Sequence, residues 1–180
     1  MKKFLRWAKP SLLLFVLVLL SACQRTPNLP PKPITDHNID FSLVAMGDGT
    51  MVTGPQFIGC GDTIQMVESS YVDGGATTET VIQAALEALF QVEGSNYGES
   101  GLYNALYQSD LSVNSVTVSD DESTVMVTLT GSIVSGGTCD DPRIEAQIRE
   151  TIKAHSPKNA DISVSIDGKD LHEYFDMSGL

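Results

Sequence analysis

The sequence predicts an α+β domain: a small, mostly antiparallel sheet with two amphipathic helices packed on one face, as a two-layer sandwich. Three observations predict it. Ile82, Ala85, Leu86, Leu89 and Phe90 recur at helical spacing, and so do Ile144, Ile148 and Ile152. Short β-prone segments with period-two alternation flank both helices. The stretch that carries all of this, 39–180, is the size of one ordinary domain and holds no internal repeat of useful length.

The elements follow in order. Phe41 to Met46, "FSLVAM", is short, apolar and β-prone, and "GDGTMVTGP" is a loop after it. Thr63 to Tyr71 alternates around Ile64, Met66 and Glu68 and reads as a strand, broken by "DGGA". Thr77 is the N-cap of the first helix, with Glu79 in the first turn where its charge suits the dipole. "EGSNYGESG" ends that helix, and Leu102 to Tyr107 reads as a helical turn. A hairpin comes next. Val116 and Val118 alternate before the turn Asp120-Asp121-Glu122, and Val125, Val127 and Leu129 alternate after it. Asp141 is the N-cap expected for the second helix, with Pro142 at its first position, where a missing N–H costs nothing. Glu145 and Arg149 are spaced to pair on its outer face, and Ser156-Pro157 stops it. Ile162, Val164 and Ile166 then alternate in a last strand closed by Asp-Gly. Val164 and Ile166 are expected to share a core with Ile148 and Leu86.

The first 38 residues are a different kind of sequence. Lys2, Lys3, Arg6 and Lys9 make a basic start, Leu12–Leu20 is an unbroken apolar run of 9 residues, and Ser21-Ala22 are small. This is the three-part pattern of a secretory signal, and the run is too short for a permanent span, which needs roughly 20 residues. "Leu-Ser-Ala-Cys" resembles a bacterial lipobox, which implies cleavage before Cys23 and lipid on its thiol and new amino terminus. Several acyl chains anchor stably, each buried methylene contributing about 0.8 kcal/mol. Residues 23–38 carry Pro27, Pro30, Pro31 and Pro33 among polar residues, the composition of an extended tether. The expected division is therefore a signal at 1–22, a lipidated cysteine and tether at 23–38, and one domain at 39–180.

Four of the 11 basic residues lie in the signal and none of the 23 acidic ones does, so the remainder carries a formal charge of −16. That argues against nucleic acid and against adhesion to anionic lipid through the domain surface. It favours solubility and basic partners. Cys60 and Cys139 remain after Cys23 is lipidated, and an even pair in an exported chain reads as a disulfide. The bond would close a loop of roughly 80 residues, for on the order of 4 kcal/mol. Two buried free thiols or a metal site are the alternatives, and no Cys-x-x-Cys spacing supports redox or zinc chemistry.

The helix "TVIQAALEALFQVEGSN", the following "ESGLYNAL", the hairpin "SVNSVTVSDDESTVMVTLTG" and "CDDPRIEAQIRETIKA" before "ISVSIDGKDL" together resemble the GerMN domain of sporulation and germination lipoproteins. The resemblance runs from about Ile58 to Leu171. It implies an α+β fold similar to ring-building motifs, held outside a membrane by lipid, with no enzymatic activity and a part in building or stabilising envelope complexes. This chain has room for one copy of the domain.

Chemistry-bearing patterns are sparse. His37, His155 and His172 are scattered, with no metal-ligand spacing, and His155 suits the last turn of a helix as a cation. No nucleophile elbow or phosphate loop appears. Asp120, Asp121 and Glu122, and then Asp140 and Asp141, could offer carboxylates to calcium or to acid–base work, yet a turn and a helix start favour Asp for structural reasons. Arg143 stands inside a helix amino terminus, where the dipole disfavours a cation. Pairing with Asp140 or a strand carboxylate is expected, and a grip on a partner is the functional alternative. The expectation is a lipid-anchored, extracytoplasmic, non-enzymatic scaffold or interaction module with an envelope protein partner and no cofactor. A solute- or glycan-binding lipoprotein is the other reading.

Overall fold

A computed structural model describes residues 37–47, 57–72 and 75–175 of the 180. The signal, Cys23 and most of the expected tether lie outside the described residues, as does most of the loop "GDGTMVTGP".

The chain forms an α+β fold whose strands fall into two sheets. The first sheet has the order β1-β3-β2, with β1 His37–Ala45, β2 Phe57–Gly59 and β3 Asp62–Val72, all antiparallel. β1 starts at His37, inside the stretch read as tether. The second sheet has the order β4-β5-β6-β7, with β4 Asp110–Val118, β5 Thr124–Ser132, β6 Asp161–Ile166 and β7 Lys169–Asp170. β5 and β6 are parallel and the other pairs antiparallel. Helix α1, Thr78–Phe90, packs on β4 and β1. Helix α2, Asp140–His155, connects β5 to β6 and packs on β1, β2 and β6. A short α3, Leu171–Phe175, follows β7.

One core unites these parts. Ile82, Leu86 and Leu89 of α1 and Ile144, Ile148 and Ile152 of α2 are fully buried with Val164, Ile166 and Leu129 of the second sheet and Leu43 of the first. The periodic stripes of the two helices therefore face inward as spaced, and Ile148 and Leu86 share that core with Val164 and Ile166. The sequence reading of a single sheet gives way to two because, among the described residues, β1 hydrogen-bonds to no strand on its second side. Side chains of α2 occupy that side instead.

Local chemistry sets the turns. Thr77 caps α1, its hydroxyl oxygen accepting from Thr80 N–H. Cys60 and Gly61, at φ 52° and 82°, make the two-residue turn between β2 and β3, where positive φ at both central positions matches strand twist. In the hairpin turn the Asp121 carboxylate accepts from Ser119 Oγ at 2.7 Å and from Ser123 Oγ at 2.7 Å and N–H at 3.1 Å. The two hydroxyls and that amide hold its pKa down at about 2. Gly131, at φ 119°, ends the regular part of β5, and a Cβ there would meet Asp110 O at 2.0 Å.

Three local readings differ from the structure. α2 begins at Asp140, with Cys139 in the cap position and no side-chain cap, and the Asp141 carboxylate instead accepts from Ser135 Oγ. Leu102–Tyr107 is no helix: Tyr103 bridges to Val44 and a turn follows. In β3 the stretch Thr63–Glu68 faces Ala45–Asp40 without a register shift, the extra residue Ser69 coming only after it, but burial does not follow the expected alternation. Ile64 is buried and Val67 meets the core, while Met66 and Glu68 are exposed.

Candidate functional site

β1 has a second edge that no strand among the described residues covers, and α2 closes it with polar side chains four residues apart. His155 Nε2 lies 3.1 Å from Asp40 N and 2.8 Å from Asp40 O. Thr151 Oγ1 accepts from Ser42 N–H at 2.9 Å. Gln147 Nε2 donates to Ser42 O at 3.1 Å and to Asn104 Oδ1 at 3.2 Å, while its Oε1 accepts from Ala105 N–H at 2.8 Å. Val44 then exchanges both backbone bonds with Tyr103, at 2.9 and 2.8 Å. Ser42 and Val44 thus have both outward backbone groups partnered inside the domain, and at Asp40 the one His155 Nε2 serves either the N–H or the carbonyl, according to its tautomer. Buried polar groups need this, and among the described residues no buried side-chain polar atom lacks a partner.

The first member of this helix face is Arg143. Its Nε and one terminal nitrogen both reach Asp62 Oδ2 at 2.7 Å, and the other terminal nitrogen reaches Asp140 Oδ1 at 2.8 Å. Its guanidinium carbon lies 5.3 Å from the centre of the Tyr103 ring, an attraction between cation and ring face. Tyr103 Oη donates to Asp140 Oδ2 at 3.1 Å, and Asp62 Oδ1 accepts from Gly47 N–H at 2.9 Å. Burial on its own would lower the Arg143 pKa, but the hydrogen bonds and charges of Asp140 and Asp62 outweigh it and the net shift is upward. Burial, and then the hydrogen bond to Asp140, push the Tyr103 phenol up to about 12. Tyr103 is therefore a donor at any physiological pH and a poor nucleophile. Asp62 is 1% exposed, so this pair joins β3 to α2 from within. The Cys60–Cys139 disulfide, with Cα atoms 5.9 Å apart, crosses beside it, from the turn preceding Asp62 to the residue preceding Asp140.

The structure brings Cys60, Cys139 and Arg143 together at one end of α2, and Cys23 is outside the described residues. Arg143 has both sequence-expected partners, the neighbouring Asp140 and a strand carboxylate. Gln147, Thr151 and His155 were not singled out as a set by sequence. The signal was available: they stand at i, i+4 and i+8 beside the isoleucine stripe. Of the acidic clusters, Asp140 joins the ion pairs and Asp121 closes a turn. Among the described residues no group of three His, Cys, Asp or Glu side chains is placed to hold a metal, and no helix is long and apolar enough to cross a membrane.

β4 presents the contrasting edge. Ser119 N–H donates to Thr124 O, which fixes the alternation along the hairpin: Val116 and Val118 direct their backbone groups away from β5. Beside this edge, Glu87, Phe90 and Gln91 of α1 and Leu111, Ser112 and Val113 of β4 border an open groove of about 290 Å³. A second open cleft, about 360 Å³, lies against the end of α1, lined by Phe41, Gln91, Asn96 and Tyr97 among others.

No family model and no curated protein matches the chain. Among solved structures, a candidate lipoprotein from Clostridium perfringens is similar, at 22% identity over 73% of this chain and 76% of that one, with a TM-score of 0.38. A likeness of that size carries no functional inference.

Proposed function

We infer that this chain is a lipid-anchored, extracytoplasmic interaction module of a cell-envelope complex, of GerMN type, with no catalytic role. The observation that carries the reading is the contrast between the two long edges. The β1 edge is closed from inside by His155, Thr151, Gln147 and Tyr103. The β4 edge, nine residues long, has no strand beside it among the described residues, and Leu111–Val118 contains neither charge nor proline. Soluble proteins normally blunt such an edge, so one left plain is suited to accept a partner's backbone.

The anchor rests on the leader, on Leu-Ser-Ala-Cys23 and on the proline-rich segment that follows. The GerMN assignment rests on the order of elements and on the strings quoted above. A solute- or glycan-binding role would use the cleft at Tyr97, Asn96 and Gln91, which is open and shallow.

Cross-linking the full-length chain in living cells, with its Cys23→Ser counterpart, tests the reading. The native chain is expected in the membrane fraction, joined to a discrete set of envelope proteins, and the Cys23→Ser chain is expected to leave the membrane. Retention of Cys23→Ser on membranes would refute the anchor. Capture of glycan alone would refute the interaction role.

A further inference from the structure

We propose that the β4 edge and the groove between it and α1 accept an extended, cationic segment of a partner protein as an added strand of the second sheet. This rests on the interaction-module reading and names the surface, the mode and the chemistry of the partner.

The mode follows from the edges. β2 has three residues and β7 has two, too short to template much pairing, and β1 is closed. β4 is the long edge that remains. Val116 and Val118 each direct an N–H and a C=O outward, with the Glu79 carboxylate at the start of α1 near the Val118 N–H. An added strand sends alternate side chains to opposite faces, and the groove between Phe90, Glu87 and Leu111–Val113 lies where one of them would descend.

The charge of the partner follows from the sequence around that edge. From Pro33 to Pro142 there are sixteen acidic residues and no lysine or arginine. The edge itself is neutral, but Glu79 stands at one end, Glu87 on the groove and Asp110 at the first residue of β4. The nearest basic residue after this span, Arg143, is committed to Asp62 and Asp140. A strand carrying Lys or Arg would meet opposite charge at both ends of the edge and at the groove, and be steered there. A second copy of this chain would bring acidic groups against acidic groups, which disfavours self-pairing.

The test presents a random peptide library on phage to the full-length lipoprotein in detergent, at low and high salt. Enriched peptides are expected to alternate Lys or Arg with β-branched residues and to lose binding at high salt. Val116→Pro, which removes an outward N–H, is expected to abolish binding. Because Val116 also touches the core, Glu87→Lys at an exposed position is the second variant, expected to weaken binding by about threefold to tenfold. No enrichment, enrichment without basic residues, or binding indifferent to both variants would overturn the proposal. So would self-association of the native chain in sedimentation that both variants abolish, since the occupant would then be a second copy. If the library fails while cells still yield discrete cross-linked partners for Glu87→Lys and Val116→Pro, the edge proposal falls and the interaction-module reading stands.

Discussion

Replacing Gln147 with leucine should destabilise the domain by about 2 kcal/mol without removing any apolar contact. The side chain is completely buried and makes three hydrogen bonds. Leucine is of similar size, so the core stays filled. It leaves Ala105 N–H without its acceptor and Ser42 O without a donor, while Asn104 Oδ1 keeps the N–H of Leu106 at 3.0 Å. An orphaned buried donor or acceptor costs about 1–3 kcal/mol. Taking about 2 for the N–H and about 1 for the carbonyl, which tolerates under-satisfaction better, gives about 3 kcal/mol. The more apolar side chain returns on the order of 1 kcal/mol. Gln147→Glu should be worse, by about 4 kcal/mol, because a buried carboxylate would face two acceptors, Ser42 O and Asn104 Oδ1. Urea titration followed by circular dichroism gives both values, and amide exchange at Ala105 should accelerate in Gln147→Leu. If Gln147→Leu matches the native midpoint, or if the leucine variant proves less stable than the glutamate one, then Gln147 does not close the β1 edge and the contrast between edges fails with it.

Three further outcomes are expected. Replacing Cys60 and Cys139 together with serine should cost about 4 kcal/mol, from the loop spanned by their separation of 79 residues, lowering the melting temperature by more than about 10 °C; an unchanged melting curve would contradict the bond. Tyr103 has its folded pKa raised from 10.0 to about 12, so its contribution is fully present below pH 10 and is lost as pH rises through 12. The shift corresponds to at most about 2.7 kcal/mol, reduced to about 1–2 kcal/mol by partial exposure, and Tyr103→Phe should abolish that loss when stability is measured by urea titration across the same range. Ile148→Asp places an unpaired charge at a fully buried site and should cost about 4 kcal/mol or more; a chain that still melts cooperatively at the native temperature would show that this face of α2 is outside the core.

Much of the fold was legible because it rests on periodicity. The stripes at Ile82–Leu89 and Ile144–Ile152 and the alternation on either side of Asp120-Asp121-Glu122 each report burial; the stripes and Val125, Val127 and Leu129 are buried as spaced, and Val116 and Val118 are half-buried. The division into two sheets was not legible. It depends on what meets the far side of β1, and that is a row of polar side chains on a helix whose apolar stripe draws attention first. Gln147 and Thr151 look like surface residues in sequence, since nothing local says that an unpaired strand edge lies opposite. β2 escaped because three residues carry no period, and the reading of β3 failed at Met66 and Glu68, which keep register with β1 yet are exposed. The disulfide was legible from the cysteine count and the signal-like pattern of the first 22 residues. The edge of β4 was legible only as half of a hairpin, because whether a strand has one neighbour or two is a property of the whole sheet.

The central claim is that partners are engaged through the β4 edge. A photoreactive residue placed at Ser115 on that edge, or at Lys153 on the exposed side of α2, in the full-length chain in living cells, tests it most directly. The account predicts discrete protein adducts in the membrane fraction from Ser115 and none from Lys153. Equal yields from both positions, adducts from Lys153 alone, or no adduct from Ser115 would contradict it.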